Sequence, residues 1–502
     1  MKYDRLKNSK RNMFFGIVYR ICLTILPFIN RTVLINVLGA EYLGLNSLFS
    51  SILNILNLAE LGFGSAVVYS MYKPIADNDH SLICALLNFY KKIYRMIGIA
   101  IFIVGCIALV FIDKIIAGSV PFGINLRIIF FIQLLNVVFS YFFLAYKTSV
   151  LSAYQREDVI SKISTITMVI QYVIQFSIVF VTKNYYLYLI ILPICTIANN
   201  ILKALVAKRL YPEVKCKGNI SRDATLEIMV KVKALFLHKI GGVVANSLDN
   251  IVISSFMGLV ATAIYNNYWY LYSSVCYFIA IFHSSVVAGL GNSIALETRE
   301  QNYEKFGKLN FINSWIVGWC SCCMMCMYQP FMKIWVGQDY MYPLYMVILF
   351  VFYFYINMAR RTIITFKDAA GIWEEDRFKP IVSAVVNIVL NITLIQLIGI
   401  AGIVISTIIS FIIVEIPWET SVLFKQYFKI SSVKYYISQI GYGILWFGII
   451  FITYMICQIL PKNDWARFML SGGLCVFIPN IAIIIIFRKK MRFVWAYLKG
   501  KK

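Results

Sequence analysis

Long apolar runs recur along the whole chain and restrict its fold more than any other feature. About fourteen of them, bounded by charged or turn-forming residues, are long enough to cross a hydrocarbon core of about 30 Å as a helix. The first six predicted spans are 13–38, 45–71, 93–112, 124–146, 159–182 and 185–207. The others are 235–257, 262–290, 309–328, 341–366, 380–397, 402–424, 434–460 and 466–487. These runs predict an all-α integral membrane protein.

The basic residues indicate the orientation of these spans. The chain carries 47 Lys and Arg against 23 Asp and Glu, which gives a formal net charge of +24. In a soluble protein, such an excess of basic residues would suggest binding to nucleic acid. Here the basic residues lie between apolar spans, as the positive-inside rule describes. An even number of spans puts both termini on one side, and both terminal segments are basic. We therefore predict a multi-pass protein with cytoplasmic N- and C-termini and no nucleic-acid partner.

A weak self-similarity divides the chain into two halves. A shift of 219 residues pairs Arg20 with Lys239, Arg31 with Asn250 and Gly39 with Gly258. Internal repeats of this kind are the usual plan of secondary transporters. The predicted parts are an N-terminal lobe at 1–210, a cytoplasmic linker at 211–234, a C-terminal lobe at 235–425, and two additional helices with a basic cytoplasmic tail at 426–502.

The first span carries charges that a lipid-facing helix would exclude. Arg20, Thr24, Pro27 and Arg31 follow steps of four, three and four residues. Eleven residues at about 100° each make three turns plus about 20°, so both guanidinium groups share one helix face. An arginine in the membrane costs about 2.5 kcal/mol or more unless it faces a bundle interior, a water-filled cavity or an acid. The stripe therefore predicts a polar cavity.

Further polar residues inside the spans extend this prediction. With Arg20 and Arg31, we predict that the substrate-binding residues include Asn30, Lys239, Asp249 and Asn250. Glu60, beside two glycines, could pair with an arginine or take a proton, and His283 could titrate near neutral pH. Glu60 and His283 are therefore the candidates for ion coupling, with a helix-end position and simple packing as their respective alternatives.

No motif points to catalysis or to a metal. The spacing of Cys320, Cys322, Cys323 and Cys326 resembles a ligand set, but the run lies in an apolar helix without a second set of ligands. Helical geometry spreads these four over several faces, so we predict packing and assign no metal. The chain has no Walker-type loop, dinucleotide fingerprint or nucleophile elbow. We expect no catalytic residues, no cofactor and no enzymatic activity.

Three stretches carry a resemblance to a known family. With VLGAEYLGLNSLF (37–49), LAELGFGSA (58–66) and FMKIWVGQDY (331–340), the chain resembles Wzx-type polysaccharide repeat-unit flippases. Their superfamily also contains drug/cation antiporters and the lipid II flippase. The resemblance implies two six-helix lobes related by a repeat, two extra C-terminal helices and a central cavity with alternating access.

The resemblance also implies a substrate. This is an undecaprenyl-pyrophosphate-linked oligosaccharide, moved from the cytoplasmic to the outer leaflet of the bacterial cytoplasmic membrane for capsule or O-antigen synthesis. A proton or sodium gradient or the membrane potential would drive the step. The implied partners are membrane lipids, a polysaccharide polymerase and glycosyltransferases.

Two alternatives stay open at this point. A drug/cation antiporter of the same superfamily would favour buried acids over arginines in its cavity. A membrane enzyme such as an oligosaccharide polymerase would need a large outer loop or a nucleotide-binding domain, and the outward loops predicted here are short.

Overall fold

The computed structural model describes residues 5–60, 62–118, 120–372, 374–461, 463–488 and 490. Throughout this part of the chain the regular structure is helical, as the apolar runs predict. The chain divides into two compact units, the first ending at Ala263 and the second beginning at Ile264.

Nine helices build the first unit, and the last of them continues into the second. They are α1 (Arg5–Val37), α2 (Ala40–Leu56), α3 (Phe63–Ala76), α4 (His80–Phe111), α5 (Leu126–Phe142), α6 (Thr148–Ala153), α7 (Glu157–Thr182), α8 (Tyr185–Leu210) and α9 (Arg222–Leu296). Short polar side chains begin several of them by accepting hydrogen bonds from otherwise unpaired backbone N–H groups. Asp79 caps α4, Asn125 caps α5 and Asn184 caps α8.

The first helix has an exposed face and a half-buried face. Ile17, Ile21, Ile25 and Ile29 recur every four residues and form an exposed apolar ridge. Arg20 and Arg31 lie outside that ridge and are half-buried, and α1 packs along α7. The helix continues through Pro27 without a break. The charged stripe thus lies away from the face that is suited to lipid, as the cost of membrane arginines requires.

Two glycines break the chain at corresponding places in the two predicted halves. Gly39, between α1 and α2, has φ 114°, and Gly258, inside α9, has φ 83°. These are the residues that the 219-residue shift pairs. A Cβ at Gly258 would lie 2.8 Å from the carbonyl oxygen of Ala117, so both φ and space require glycine there.

The predicted span 45–71 is a broken helix. Between α2 and α3 the chain forms a 3₁₀ turn, Asn57–Glu60, and then Gly62 adopts φ 97°. The predicted span 124–146 also ends early, because α5 stops at Phe142 and Leu144 has φ 59°. Across that break the helix bends by 48° into residues 145–153.

The rest of α9 and eight further helices form the second unit. They are α10 (Arg299–Val336), α11 (Leu344–Ala359), α12 (Arg361–Ala369), α13 (Lys379–Ile398), α14 (Ile400–Ser410), α15 (Ile416–Val422), α16 (Val433–Gln458) and α17 (Asp464–Ile486). Two π-helical stretches, Phe411–Glu415 and Leu423–Phe428, flank α15. Aromatic rings of Phe306, Phe366, Phe424, Phe428 and Tyr435 fill part of its core.

Among the described residues, eleven helices are long and apolar enough to cross a membrane, or twelve if the bent pair is one span. The predicted number of about fourteen therefore stays a prediction. The difference arises at three places. The predicted spans 235–257 and 262–290 lie in α9 on either side of the kink at Gly258, and that helix counts as one span. The predicted span 45–71 is split between two shorter helices, and 124–146 falls in the bent pair.

Candidate functional site

A polar cavity of about 300 Å³ lies within the first unit. Helices α1, α2, α5, α7 and α8 surround it. Its lining residues are Asn30, Asn46, Ser50, Leu53, Asn54, Asn57, Gln133, Asn136, Val137, Gln171, Tyr172, Gln175, Tyr188 and Leu192. Eight of these are carboxamides, and none of the lining residues carries a charge. The wall is therefore a dense array of neutral hydrogen-bonding groups.

Helix periodicity places these amides on the inner faces. On α2, Asn46, Ser50 and Asn54 follow steps of four residues, and Asn57 comes three later. On α7, Gln171 and Gln175 are one turn apart, and the Nε2 of Gln171 donates to the Oε1 of Gln175 at 3.3 Å. A polar stripe of this spacing in an apolar helix is a signal that the sequence alone could have provided.

Hydrogen bonds between the helices fix the orientation of several amides. The Tyr188 hydroxyl donates to the Oδ1 of Asn30 at 3.0 Å, and the Nε2 of Gln175 donates to the Tyr188 carbonyl at 3.0 Å. The Nε2 of Gln133 lies 3.5 Å from the Oδ1 of Asn46. A carboxamide has two N–H donors and a carbonyl with two lone pairs, so these contacts leave hydrogen-bonding capacity for a ligand.

Glu60 lies at the end of the 3₁₀ turn that also carries the cavity residue Asn57. Its Oε1 accepts a hydrogen bond from the Tyr94 hydroxyl, and its Oε2 lies 2.8 Å from the Tyr141 hydroxyl. The same Tyr141 oxygen lies 3.1 Å from the Oδ1 of Asn57. Two tyrosines thus hold the carboxylate beside the cavity wall, where the sequence suggested an arginine or a proton as its partner.

The structure brings one of the predicted substrate-binding residues to the cavity wall, namely Asn30. Arg31 is its neighbour in α1. Asp249 is buried, and the Nδ2 of Asn250 donates to the Ser51 hydroxyl at 2.8 Å. The side chain of Lys239 lies outside the described residues. The binding roles of these side chains stay predictions.

His283 lies in the second unit and is buried in contact with α10 and α12. Its Nδ1 is 2.7 Å from the Thr365 hydroxyl, and its Nε2 is 2.8 Å from the Oδ1 of Asn313. Asn313 in turn donates to the Met358 carbonyl at 3.0 Å. Because both ring nitrogens contact neighbouring side chains, the histidine also ties three helices together. Its proposed role in ion coupling stays untested.

A compact charge network occupies the second unit, and the sequence analysis missed it. Its members are Arg360, Lys367, Asp376, Lys379, Glu415 and Glu419. The Nη1 of Arg360 lies 2.8 Å from the Oε1 of Glu419 and also pairs with Glu415. Lys379 pairs with Glu419 as well, and its Nζ lies 3.8 Å from the Oε2 of Glu415.

Three cations thus face three acids, and the network is close to neutral. Lys367 pairs with Asp376, and the Arg360 guanidinium lies 4.5 Å from the centroid of the Phe411 ring. Glu415 ends a π-helical stretch, a distortion that is frequent at functional sites. The acids at 415 and 419 lie one turn apart in an apolar run, so the cost of a membrane charge marks them in the sequence as it marks Arg20.

The fold can be compared with solved structures. The lipid II flippase MurJ in an inward closed conformation superposes with a TM-score of 0.67, covering 95% of this chain and 100% of that chain at 15% identity. The chain therefore shares the fold of this structure. An inward-facing multidrug resistance MATE family transporter of the MOP superfamily superposes with a TM-score of 0.62. The match covers 80% of this chain and 94% of that chain, at 13% identity.

A MATE transporter in a bent conformation also shares this fold. Its TM-score is 0.53, over 82% of this chain and 93% of that chain, with 13% identity. No protein-family model and no curated protein sequence matches the chain. At these identities the likeness concerns the fold, and this shared fold confirms the all-α membrane architecture that the sequence predicts.

Proposed function

We propose that this chain is a flippase for undecaprenyl-pyrophosphate-linked oligosaccharides. It would move repeat units from the cytoplasmic to the outer leaflet of a bacterial cytoplasmic membrane, by alternating access and without breaking a covalent bond. The observation that carries the proposal is the cavity of carboxamides in the first unit.

The chemistry of the cavity suits a glycan. Sugar hydroxyl groups both donate and accept hydrogen bonds, and carboxamides offer both functions at a short distance from each other. A neutral wall attracts neither cations nor anions strongly, and a volume of about 300 Å³ is at the lower end of the range of small-molecule sites. The polyprenyl tail can stay in the lipid.

The arginines of α1 can provide the counter-charge that the pyrophosphate of such a substrate requires. A pyrophosphate carries negative charge that must cross a medium of low dielectric constant, and a guanidinium provides a persistent charge with two parallel donors for its oxygens. Arg31 directly follows the cavity residue Asn30, and Arg20 lies three turns earlier on the same face. The lipid-linked pyrophosphate would meet these two residues in turn.

The remaining parts of the proposal concern energy and partners. A proton or sodium gradient or the membrane potential would drive the cycle, with Glu60 as the coupling residue nearest to the cavity. The transported units would come from glycosyltransferases and pass to a polymerase. Both termini would lie in the cytoplasm.

A strain that lacks the gene tests the proposal through its surface polysaccharide. Wild-type protein should restore the polysaccharide, Arg31→Ala should abolish it, and Arg31→Lys should restore part of it because an ammonium keeps the charge but loses the planar fork. Arg127→Ala is the matched control, since Arg127 is exposed and pairs with Asp113 at 2.7 Å. Full polysaccharide from Arg31→Ala, at an equal amount of membrane-inserted protein, would overturn the assignment.

A drug/cation antiporter is the second candidate, and Glu60 is the observation that favours it. A carboxylate beside a polar cavity could exchange a proton for an organic cation. The same strain then provides the test. Efflux of a fluorescent organic cation that Glu60→Gln abolishes, together with surface polysaccharide that does not depend on the protein, would select the antiporter.

A further inference from the structure

Four buried cysteines from three helices of the second unit meet at one point. Cys322 and Cys326 lie one turn apart on α10, Cys457 is at the end of α16 and Cys475 is in the middle of α17. Each exposes 4% of its surface or less. The expectation that the α10 run lacks a second set of ligands is therefore wrong, because the two C-terminal helices supply that set.

Three of the four sulfur atoms are close enough to bind one ion. The sulfurs of Cys322, Cys326 and Cys475 all lie within 4.8 Å of one another. Cys457 packs in the same buried cluster and is the thiol that can supply a fourth ligand. Tetrahedral zinc with Zn–S bonds of about 2.3 Å holds its sulfurs about 3.8 Å apart, so a contraction of about 1 Å brings the first three sulfurs to that spacing.

We propose that these four cysteines bind a single Zn²⁺ as a structural Cys₄ site. Four thiolates in a tetrahedron are the ligand set that selects zinc or iron, and a closed four-coordinate site leaves no position for a substrate. On binding, each thiol releases its proton to water and the sulfur donates a lone pair to the metal. A cluster of four irons would need a much wider separation of the sulfurs than the structure shows.

The surroundings can balance the charge of such a site. Zinc with four thiolates carries a net charge of −2, which is costly in an apolar environment unless nearby groups compensate it. Arg467 lies close to the cluster, because its guanidinium donates to Gln458, the neighbour of Cys457, at 2.6 Å. Ser471 is fully buried one turn before Cys475, beside the cysteine cluster. Its hydroxyl can donate to a thiolate.

A metal here would join the C-terminal helices to the body of the second unit. The contact already includes the indole N–H of Trp319, which donates to the Cys475 carbonyl at 2.9 Å, and the thiol of Cys475, which lies 3.8 Å from the Cys322 carbonyl. Zinc would add bonds from α10 to both α16 and α17. Its role is independent of the transported substrate, so the proposal stands apart from the flippase assignment.

Metal analysis of the full-length protein in nanodiscs tests the proposal. We expect about one zinc per chain in the wild type and an approximately ten-fold loss in Cys326→Ser and Cys475→Ser. Cys320→Ser is the matched control, because Cys320 belongs to the same run of α10 but is not one of the four. It should keep its zinc.

Two further measurements keep the outcome clear if a variant fails to fold. Wild-type protein produced in cobalt medium should show thiolate-to-cobalt charge-transfer absorption. Titration of denatured protein with a thiol reagent and a chelator should find all twelve cysteines reduced. Absence of zinc with twelve free thiols would reduce the cluster to packing, and a deficit of thiols would identify disulfides. Either result, or copper in place of zinc, would overturn the proposal.

Discussion

At the level of single residues, carboxamides are the most frequent side chains on the cavity wall. Asn54 is the clearest example, because its side chain is exposed on the wall of the cavity between five helices. An exposed carboxamide there has donors and an acceptor available for a ligand. A glycan would supply hydrogen-bonding partners during each transport cycle.

Replacement of Asn54 by leucine should weaken glycan transport without unfolding the protein. Leucine has a similar size but no hydrogen-bonding group, and one neutral hydrogen bond contributes about 1 kcal/mol, or roughly five-fold in affinity. The rate of transport in vesicles is measured against the concentration of the lipid-linked glycan, and we expect a higher half-saturation concentration for the leucine variant. Asn54→Gln keeps the amide and serves as the control, and equal transport by the leucine and glutamine variants would contradict the account.

Removal of the Tyr141 hydroxyl should destabilise the Glu60 site. Glu60 would lose the donor at 2.8 Å, and a hydrogen bond to a charged group contributes about 1.5 kcal/mol or more to stability. Thermal unfolding in nanodiscs should show a lower midpoint for Tyr141→Phe. Tyr69→Phe is the control because Tyr69 is exposed on α3. If both variants unfold at the same temperature, the hydroxyl makes no significant contribution.

Some of these residues were predictable from the sequence and others were not. Asn30 was predicted as a polar residue inside an apolar span, and the spacing of Asn46, Ser50 and Asn54 would have added α2 by the same logic. The tyrosine partners of Glu60 were not predictable. Tyr94 and Tyr141 are 34 and 81 residues away from it, and only the packing of α4 and α5 brings their hydroxyls to the carboxylate.

At the level of helices, the charge network links three parts of the second unit. Arg360 joins α11 and α12, Lys379 begins α13, and Glu419 lies in α15. A buried ion pair is weak evidence for stability in itself, because desolvation offsets much of the Coulomb attraction. Removal of only one partner of the pair has a larger effect on stability, because the remaining charge stays buried without a counter-charge.

Glu419→Leu should therefore be strongly destabilising. Arg360 and Lys379 both pair with this acid, and loss of one partner from a buried pair costs about 3–5 kcal/mol. Unfolding in a denaturing detergent gives the free energy of unfolding, and its decrease in the variant measures the loss of stability. Glu227→Gln removes an exposed acid that pairs with Lys231 within α9 and should change little. Equal stability of the two variants would show that the network is solvated and not structural.

Helix existence was more predictable than helix continuity. Apolar runs place most of the helices within a few residues, because a membrane span has to satisfy its own backbone hydrogen bonds. The breaks depend on local conformation. Gly62 in the left-handed region was foreseeable from a glycine-rich stretch, whereas Leu144 with φ 59° was not, since a leucine adopts this conformation only when its surroundings impose it.

At the level of the whole molecule, each unit holds a distinct polar feature in an apolar body. The first unit contains the neutral cavity, and the second contains the charge network and the cysteine cluster. This division agrees with a carrier in which one part receives the glycan and other parts provide rigidity.

Translocation by the purified protein tests the central claim most directly. The protein is reconstituted into liposomes with a fluorescent undecaprenyl-pyrophosphate-linked oligosaccharide, and an impermeant quencher reports how much of it reaches the outer leaflet. With the wild type, the inner-leaflet pool should become accessible under a proton or sodium gradient or a membrane potential, and with Arg31→Ala it should stay protected. An inner pool that stays protected with wild-type protein under every gradient, while a fluorescent cation crosses the same membranes, would contradict the account.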